Sequence, residues 1–99
     1  MTKIKHDAIR LIKAEVARRI GAAELAAGAA WAAQETAEDA RASYDMAPSG
    51  VVKSAVIETA FRADRALQDW FTAQERVKSA LAAQAVVLEA VAALKAGKQ

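Results

Sequence analysis

Pro48 is the only proline in the chain and falls almost at its midpoint, within Ala42-Ser43-Tyr44-Asp45-Met46-Ala47-Pro48-Ser49-Gly50. On both sides of it apolar residues recur at spacings of three and four, the period of a helix rather than a strand. Alanine, the strongest helix former, is abundant throughout. Proline disfavours helix at the residue before it, so Ala47 marks an exit from the first helix. Asp45 and Ser49 each carry a side-chain oxygen able to accept a hydrogen bond from the opening amides of a second helix. The stretch predicts a reversal at about residues 46–49, between arms of about 3–45 and 50–97. Each arm would run ~65 Å at ~1.5 Å per residue, so the two chain ends meet at one open end.

Before the turn, Ile9, Ile12, Val16, Ala23, Ala26, Ala30, Ala33, Ala37, Ala40 and Tyr44 keep one heptad register, with Arg19 as its polar member. After it, Val56, Thr59, Ala63, Ala66, Trp70, Ala73, Val77, Ala80, Val87, Val91 and Leu94 do the same, with Gln84 as the strongly polar member. These are coiled-coil-like seams, in which one polar inner residue fixes alignment at some cost in stability. Folding at the turn pairs residues whose numbers add to roughly 96. Trp70 then lies opposite Ala26, Ala27 and Gly28, and Trp31 opposite Arg65 and Ala66. Gly21 and Gly28 each cost about 1 kcal/mol relative to alanine inside a helix. They either admit close helix approach or mark a break, and a three-helix arrangement split near Gly21 is the structural alternative.

Several large apolar residues do not fit these seams. Ile4, Leu11, Leu25 and Trp31 form a second stripe on the first arm, while Ile57, Phe61, Leu67, Phe71, Leu81 and Leu88 flank or oppose the seam on the second. Burying one such side chain is worth ~1.5–3 kcal/mol, and a lone hairpin leaves them wet. The expected fold is therefore all-α: one long antiparallel helical-hairpin domain over residues 1–99, associated as a homodimeric four-helix bundle. Those ten residues are the expected protein interface.

The formal net charge of +2 conceals a separation along the chain. Residues 1–19 carry Lys3, Lys5, Arg10, Lys13, Arg18 and Arg19 against Asp7 and Glu15, a balance of +4. Residues 20–50 carry Glu24, Glu35, Glu38, Asp39 and Asp45 against Arg41, a balance of −4. So weak a total makes nucleic acid an unlikely partner, whereas a polarised charge orients binding to a protein. A third reading, phosphate binding, rests only on the basic open end of Lys3, Lys5, Arg10, Lys13, Lys95 and Lys98, which lacks an aromatic platform.

No cysteine is present, which fits a reducing, cytoplasmic setting. The basic N-terminal stretch breaks its apolar residues with charges every few positions, a pattern of neither a signal peptide nor a membrane span. No P-loop, dinucleotide fingerprint or nucleophile elbow occurs. His6 has no Glu-x-x-His or His-x-x-x-His partner, and Glu35, Glu38 and Asp39 lack the histidine that carboxylate metal sites in bundles use. Arg62 and Arg65 are the expected ion-pair partners of that acidic cluster. The expectation is a protein without enzymatic activity, cofactor or metal.

With the turn placed, "AAGAAWAAQETAEDARASYD" followed by "IETAFRADRALQD" resembles the helical-hairpin region of the bacterial Gre transcript-cleavage factors, through alanine-rich spacing, Tyr44-Asp45, and Ile57-Glu58 with Phe61. Hairpins of that family enter the secondary channel of RNA polymerase and help hold a catalytic magnesium ion. The resemblance implies Asp45 as the leading tip carboxylate beside Tyr44, with Glu38 and Asp39 farther down the arm. It departs from the family pattern in its longer turn, in Pro48, and in the missing globular C-terminal domain. Two functions follow: a non-enzymatic interaction or assembly module that self-associates, or a stand-alone hairpin that binds RNA polymerase through its acidic tip.

Overall fold

The computed structural model describes residues 2–97, of which two helices account for nearly all: α1, Thr2–Met46, and α2, Gly50–Gly97. Lys98, one of the basic residues expected at the open end, lies outside the described residues. Both helices run unbroken, so α1 passes through Gly21 and Gly28 without a kink and the three-helix alternative falls away. At 45 and 48 residues they fold back on each other into a rod of 76 × 16 × 14 Å.

Only Ala47, Pro48 and Ser49 separate the helices. The Ala47 amide still donates to the Ser43 carbonyl at 3.0 Å, closing the last turn of α1. Ser49 then caps α2: its Oγ accepts from the Val52 amide at 3.2 Å, and its carbonyl accepts from the Lys53 amide at 2.9 Å. No described residue has a positive φ, so the reversal depends on proline and the serine cap rather than on a left-handed glycine. Asp45 does not cap α2. It sits in the last turn of α1, where its carboxylate is 3.6 Å from the Arg41 guanidinium. A negative charge is unfavourable at a helix C-terminus, and Arg41 offsets it from one turn back.

The register is the expected one. Ala33 and Thr36 line a groove with Thr59 and Arg62, and Ala27 and Ala30 line another with Ala63 and Trp70, all near a residue-number total of 96. By that register Ala30 is level with Ala66, Val16 with Ala80, and Tyr44 with Val52. Every seam position from Ile9 to Tyr44 and from Val56 to Val91 is at least partly shielded, including Arg19 and Gln84, whereas Leu94 near the open end stays exposed. Thr59, inside the seam, donates its hydroxyl to the carbonyls of Ala55 and Val56, so its polar group is satisfied within its own helix.

Ion pairing departs from expectation. Every bridge found among the described residues joins positions three or four apart on one helix, and Arg62 pairs with Glu58 rather than with the acidic cluster across the hairpin. Glu35 instead accepts from Trp31 Nε1 at 3.0 Å, and Glu38 from Gln34 at 3.3 Å. Side chains one helical turn apart are nearer neighbours than those across the hairpin's outer faces.

The two helical glycines also act otherwise than the sequence suggests. A methyl group built at Gly21 or Gly28 would meet nothing within 4 Å, so neither admits a close helix approach, and the face opposite Trp70 is supplied by alanine. Replacing Gly28 by a larger residue would not overpack the seam. Gly28→Ala is expected to stabilise the fold by about 0.5–1 kcal/mol through helix propensity alone. Trp70→Ala removes a partly shielded seam aromatic and is expected to cost about 2–3 kcal/mol, less than the ~3–5 kcal/mol of a fully buried one. Chemical denaturation of the two variants against the parent measures both.

Candidate protein-interaction face

The seam leaves little buried. Among the described residues Val16, Ala30, Ala63 and Ala80 are the buried apolar ones, and no large side chain is fully enclosed. The chain exposes 7480 Å², whereas a compact monomer of its 10.5 kDa would expose about 5,400 Å². The excess follows from the extended 76 × 16 × 14 Å shape, and the placement of the exposed large apolar side chains around each helix is orderly.

Each residue turns an α-helix by about 100°, so positions one step beyond a seam form a parallel stripe about 100° around the cylinder. On α2 this second stripe contains Ile57, Ala60, Leu67, Phe71, Leu81, Ala85 and Leu88 at the same spacings of three and four, broken by Asp64, Gln74 and Lys78. On α1 the matching stripe holds Lys13, Ala17, Ile20, Glu24, Ala27, Trp31, Gln34 and Glu38. The antiparallel pairing brings both stripes to the same side of the rod. Ile20, Glu24 and Ala27 share a shallow groove with Trp70, Gln74 and Lys78; Trp31 and Gln34 share the next with Leu67; Ile57, Ala60 and Phe61 line a third on α2. Together they form one long face.

Of the ten residues expected at an interface, Trp31, Ile57, Leu67, Phe71, Leu81 and Leu88 lie on this face, and Phe61 stands at its outer rim beside Ile57. Ile4, Leu11 and Leu25 do not join them. They occupy the other flank of α1, on the side where Glu15, Arg19, Arg76 and Ser79 line a groove together with Ile12, Ala80 and Ala83. Leu67, Leu81 and Leu88 are 39–44% exposed, while Trp31 at 71% stands as open as Leu11 at 70%, so position around the helix and not exposure separates the groups. Ile20, at 40%, belongs to the face and was not singled out from sequence, because alone it looks like a stray apolar residue between two arginines and a glycine. Only the antiparallel register reveals its neighbours.

Phe71 is the best-braced residue of the face. Its ring stacks on Trp70 with centroids 5.9 Å apart and planes 12° from parallel, so a seam aromatic supports an exposed one. At the turn, Tyr44 is partly shielded within the seam, while Asp39 and Asp45 project from opposite flanks of α1. No three metal-binding side chains gather among the described residues. α2 includes an 18-residue window of mean hydropathy 1.6, long and apolar enough by composition to cross a membrane. In the hairpin, however, α1 lies along α2 and carries the chain's densest charge, and each charged residue at a bilayer centre costs at least ~2.5–3.5 kcal/mol.

Compared with protein-family models, with curated proteins and with solved structures, the chain matches none.

On the flank opposite the face, the Glu15 carboxylate accepts from Arg18 Nε at 3.1 Å and from Arg19 Nε at 2.8 Å, and these hydrogen bonds hold its pKa below the ordinary carboxylate range. They also orient Arg19, the charged member of the seam. A carboxyl whose folded pKa is depressed contributes stability that is present above its unfolded value and lost as the pH falls through the folded value. Glu15→Gln is therefore expected to lower stability at neutral pH and to flatten its decline on acidification. Helix content followed by circular dichroism at several pH values checks both effects.

Proposed function

We propose that this protein is a non-enzymatic assembly module whose hairpin pairs with a second copy to form a four-helix bundle. One observation carries the reading: α2 bears two apolar stripes about 100° apart, one buried against α1 and the other open. A helix in a four-helix bundle has two neighbours set about a right angle apart, and needs two such stripes. A helix in a hairpin that works alone needs one.

Size supports the same reading. The open face runs the length of a 76 Å rod that is 14–16 Å across, enough to supply the ~800 Å² per partner of a stable interface. Its members include a braced phenylalanine and a tryptophan, aromatic residues of the kind enriched at interfaces, and several leucines that add apolar area. A hairpin whose seam is alanine-rich along its middle gains little from burial there, so covering the face with a second copy stabilises the fold as well as the assembly. The competing reading, a Gre-like tip directed at RNA polymerase, rests on Asp45, whose charge is already met by Arg41.

Sedimentation equilibrium is expected to give a dimer with a largely helical circular-dichroism spectrum. Leu67→Ser with Phe71→Ser is expected to weaken association by roughly a hundredfold or more, since a twofold interface loses each side chain twice. Leu11→Ser with Leu25→Ser, on the other flank, is expected to leave it unchanged. A parent protein that stays monomeric at high micromolar concentration would overturn the reading.

A further inference from the structure

Two hairpins stacked through this face can be related by a twofold axis in only two ways. With the axis along the rod, the two turns lie together and α1 of each copy covers α2 of the other. With the axis across the rod, each turn lies beside the partner's open end, α1 covers α1, and α2 covers α2. Neighbouring helices are antiparallel in both, so helix geometry does not choose between them.

Charge and apolar pattern do. Resting on the self-association proposed above, we infer that the copies pair turn to open end, α1 on α1 and α2 on α2. The first ground is segregation. The open stripe of α2 is dominated by Ile57, Leu67, Phe71, Leu81 and Leu88, while that of α1 is interrupted by Lys13, Glu24, Gln34 and Glu38. Stacking α1 on α2 would lay charges over the apolar stripe and leave them desolvated. Stacking like on like covers apolar with apolar.

The second ground is that each stripe is self-complementary about the middle of the rod, as a twofold interface requires. On α2, Ile57 and Leu88 lie about equally far from residue 73, as do Leu67 and Leu81, with Phe71 near the axis. The hairpin register places residue 73 level with residue 23, where α1 changes sign. Residues 1–19 of α1 have a balance of +4 and residues 20–50 have −4, so antiparallel α1 pairs set each basic segment on the partner's acidic one. Arg10 and Glu38 occupy the same stripe equally far from residue 24, and the axis brings each level with the other's counterpart. The alternative sets the basic start of α1 against the last turns of α2, which carry Lys78 and Lys95 against Glu89 and offer no compensating negative segment.

The consequence is a rod with a turn at each end, each flanked by the partner's basic N-terminal segment. Asp45 then faces cationic surface, not open solvent.

A charge exchange tests this. Arg10→Glu is expected to weaken dimerisation about tenfold, and adding Glu38→Arg to restore it. Residues 10 and 38 lie ~42 Å apart on one straight helix, so restoration can only arise between copies. Both sites are exposed, and circular dichroism verifies that the variants remain helical. Independently, Ala47→Cys supplies the sole thiol for donor or acceptor dyes, and mixed copies are expected to show turn-to-turn separations approaching the 76 Å rod length, with little energy transfer. Raising the salt concentration is expected to weaken the dimer. A dimer with strong turn-to-turn transfer, or one in which Glu38→Arg fails to restore Arg10→Glu, overturns the orientation and leaves the self-association reading standing. A monomeric parent protein overturns both.

Discussion

Everything in this molecule hangs on one antiparallel seam, in which the alanine-rich middle of α1 meets a mixture of small and large residues of α2 in a fixed register. Alanine at Ala23, Ala26, Ala30, Ala33 and Ala37 lets α2 bring Trp70, Thr59 and Val77 into the same narrow line. Alanine contributes little burial of its own, so the seam specifies alignment more than it supplies energy. The heptad spacing makes this alignment hard to shift: a one-residue slip would carry Trp70 and the valines out of the seam and turn polar residues in.

Because the seam is thin, the larger apolar residues end up outside it, and their distribution is uneven. The α2 stripe from Ile57 to Leu88 is apolar except at Asp64, Gln74 and Lys78, while the opposite flank carries Glu15, Arg18 and Arg76 beside Leu11 and Leu25. The hairpin therefore leaves the apolar stripe of α2 open on one side. The Trp70–Phe71 stack joins the two roles, since one ring lies in the seam and the other stands on the open face. Loosening the seam at Trp70 would thus disturb the face as well as the hairpin.

Electrostatics follows the same geometry. Ion pairs within a helical turn settle local charges, as between Arg10 and Asp7 or Lys78 and Glu75, and such exposed pairs contribute little to stability. The separation of charge along α1 remains after these local pairs are counted. A straight helix of 45 residues cannot bring its basic start to its acidic end. A partner for that polarity would have to be another molecule, and charge complementarity of this kind discriminates between orientations more than it adds affinity.

The sequence by itself determined the two helices, the turn and the register, because these depend on local or periodic signals. Pro48 and Ser49 set the reversal, and spacings of three and four identified each seam, down to Arg19 and Gln84 as its polar members. The set of unplaced apolar residues was also legible. What only the tertiary structure decided was how that set divides. Periodicity along one helix gives an angle around that helix, but which flanks of two helices share a side depends on how they pack. Antiparallel packing placed Ile20 and Trp31 beside Leu67 and Phe71, and turned Leu11 and Leu25 away. It likewise moved Asp45 from a cap on α2 to an ion pair on α1, because a three-residue turn puts Ser49, and not Asp45, beside the free amides of the second helix.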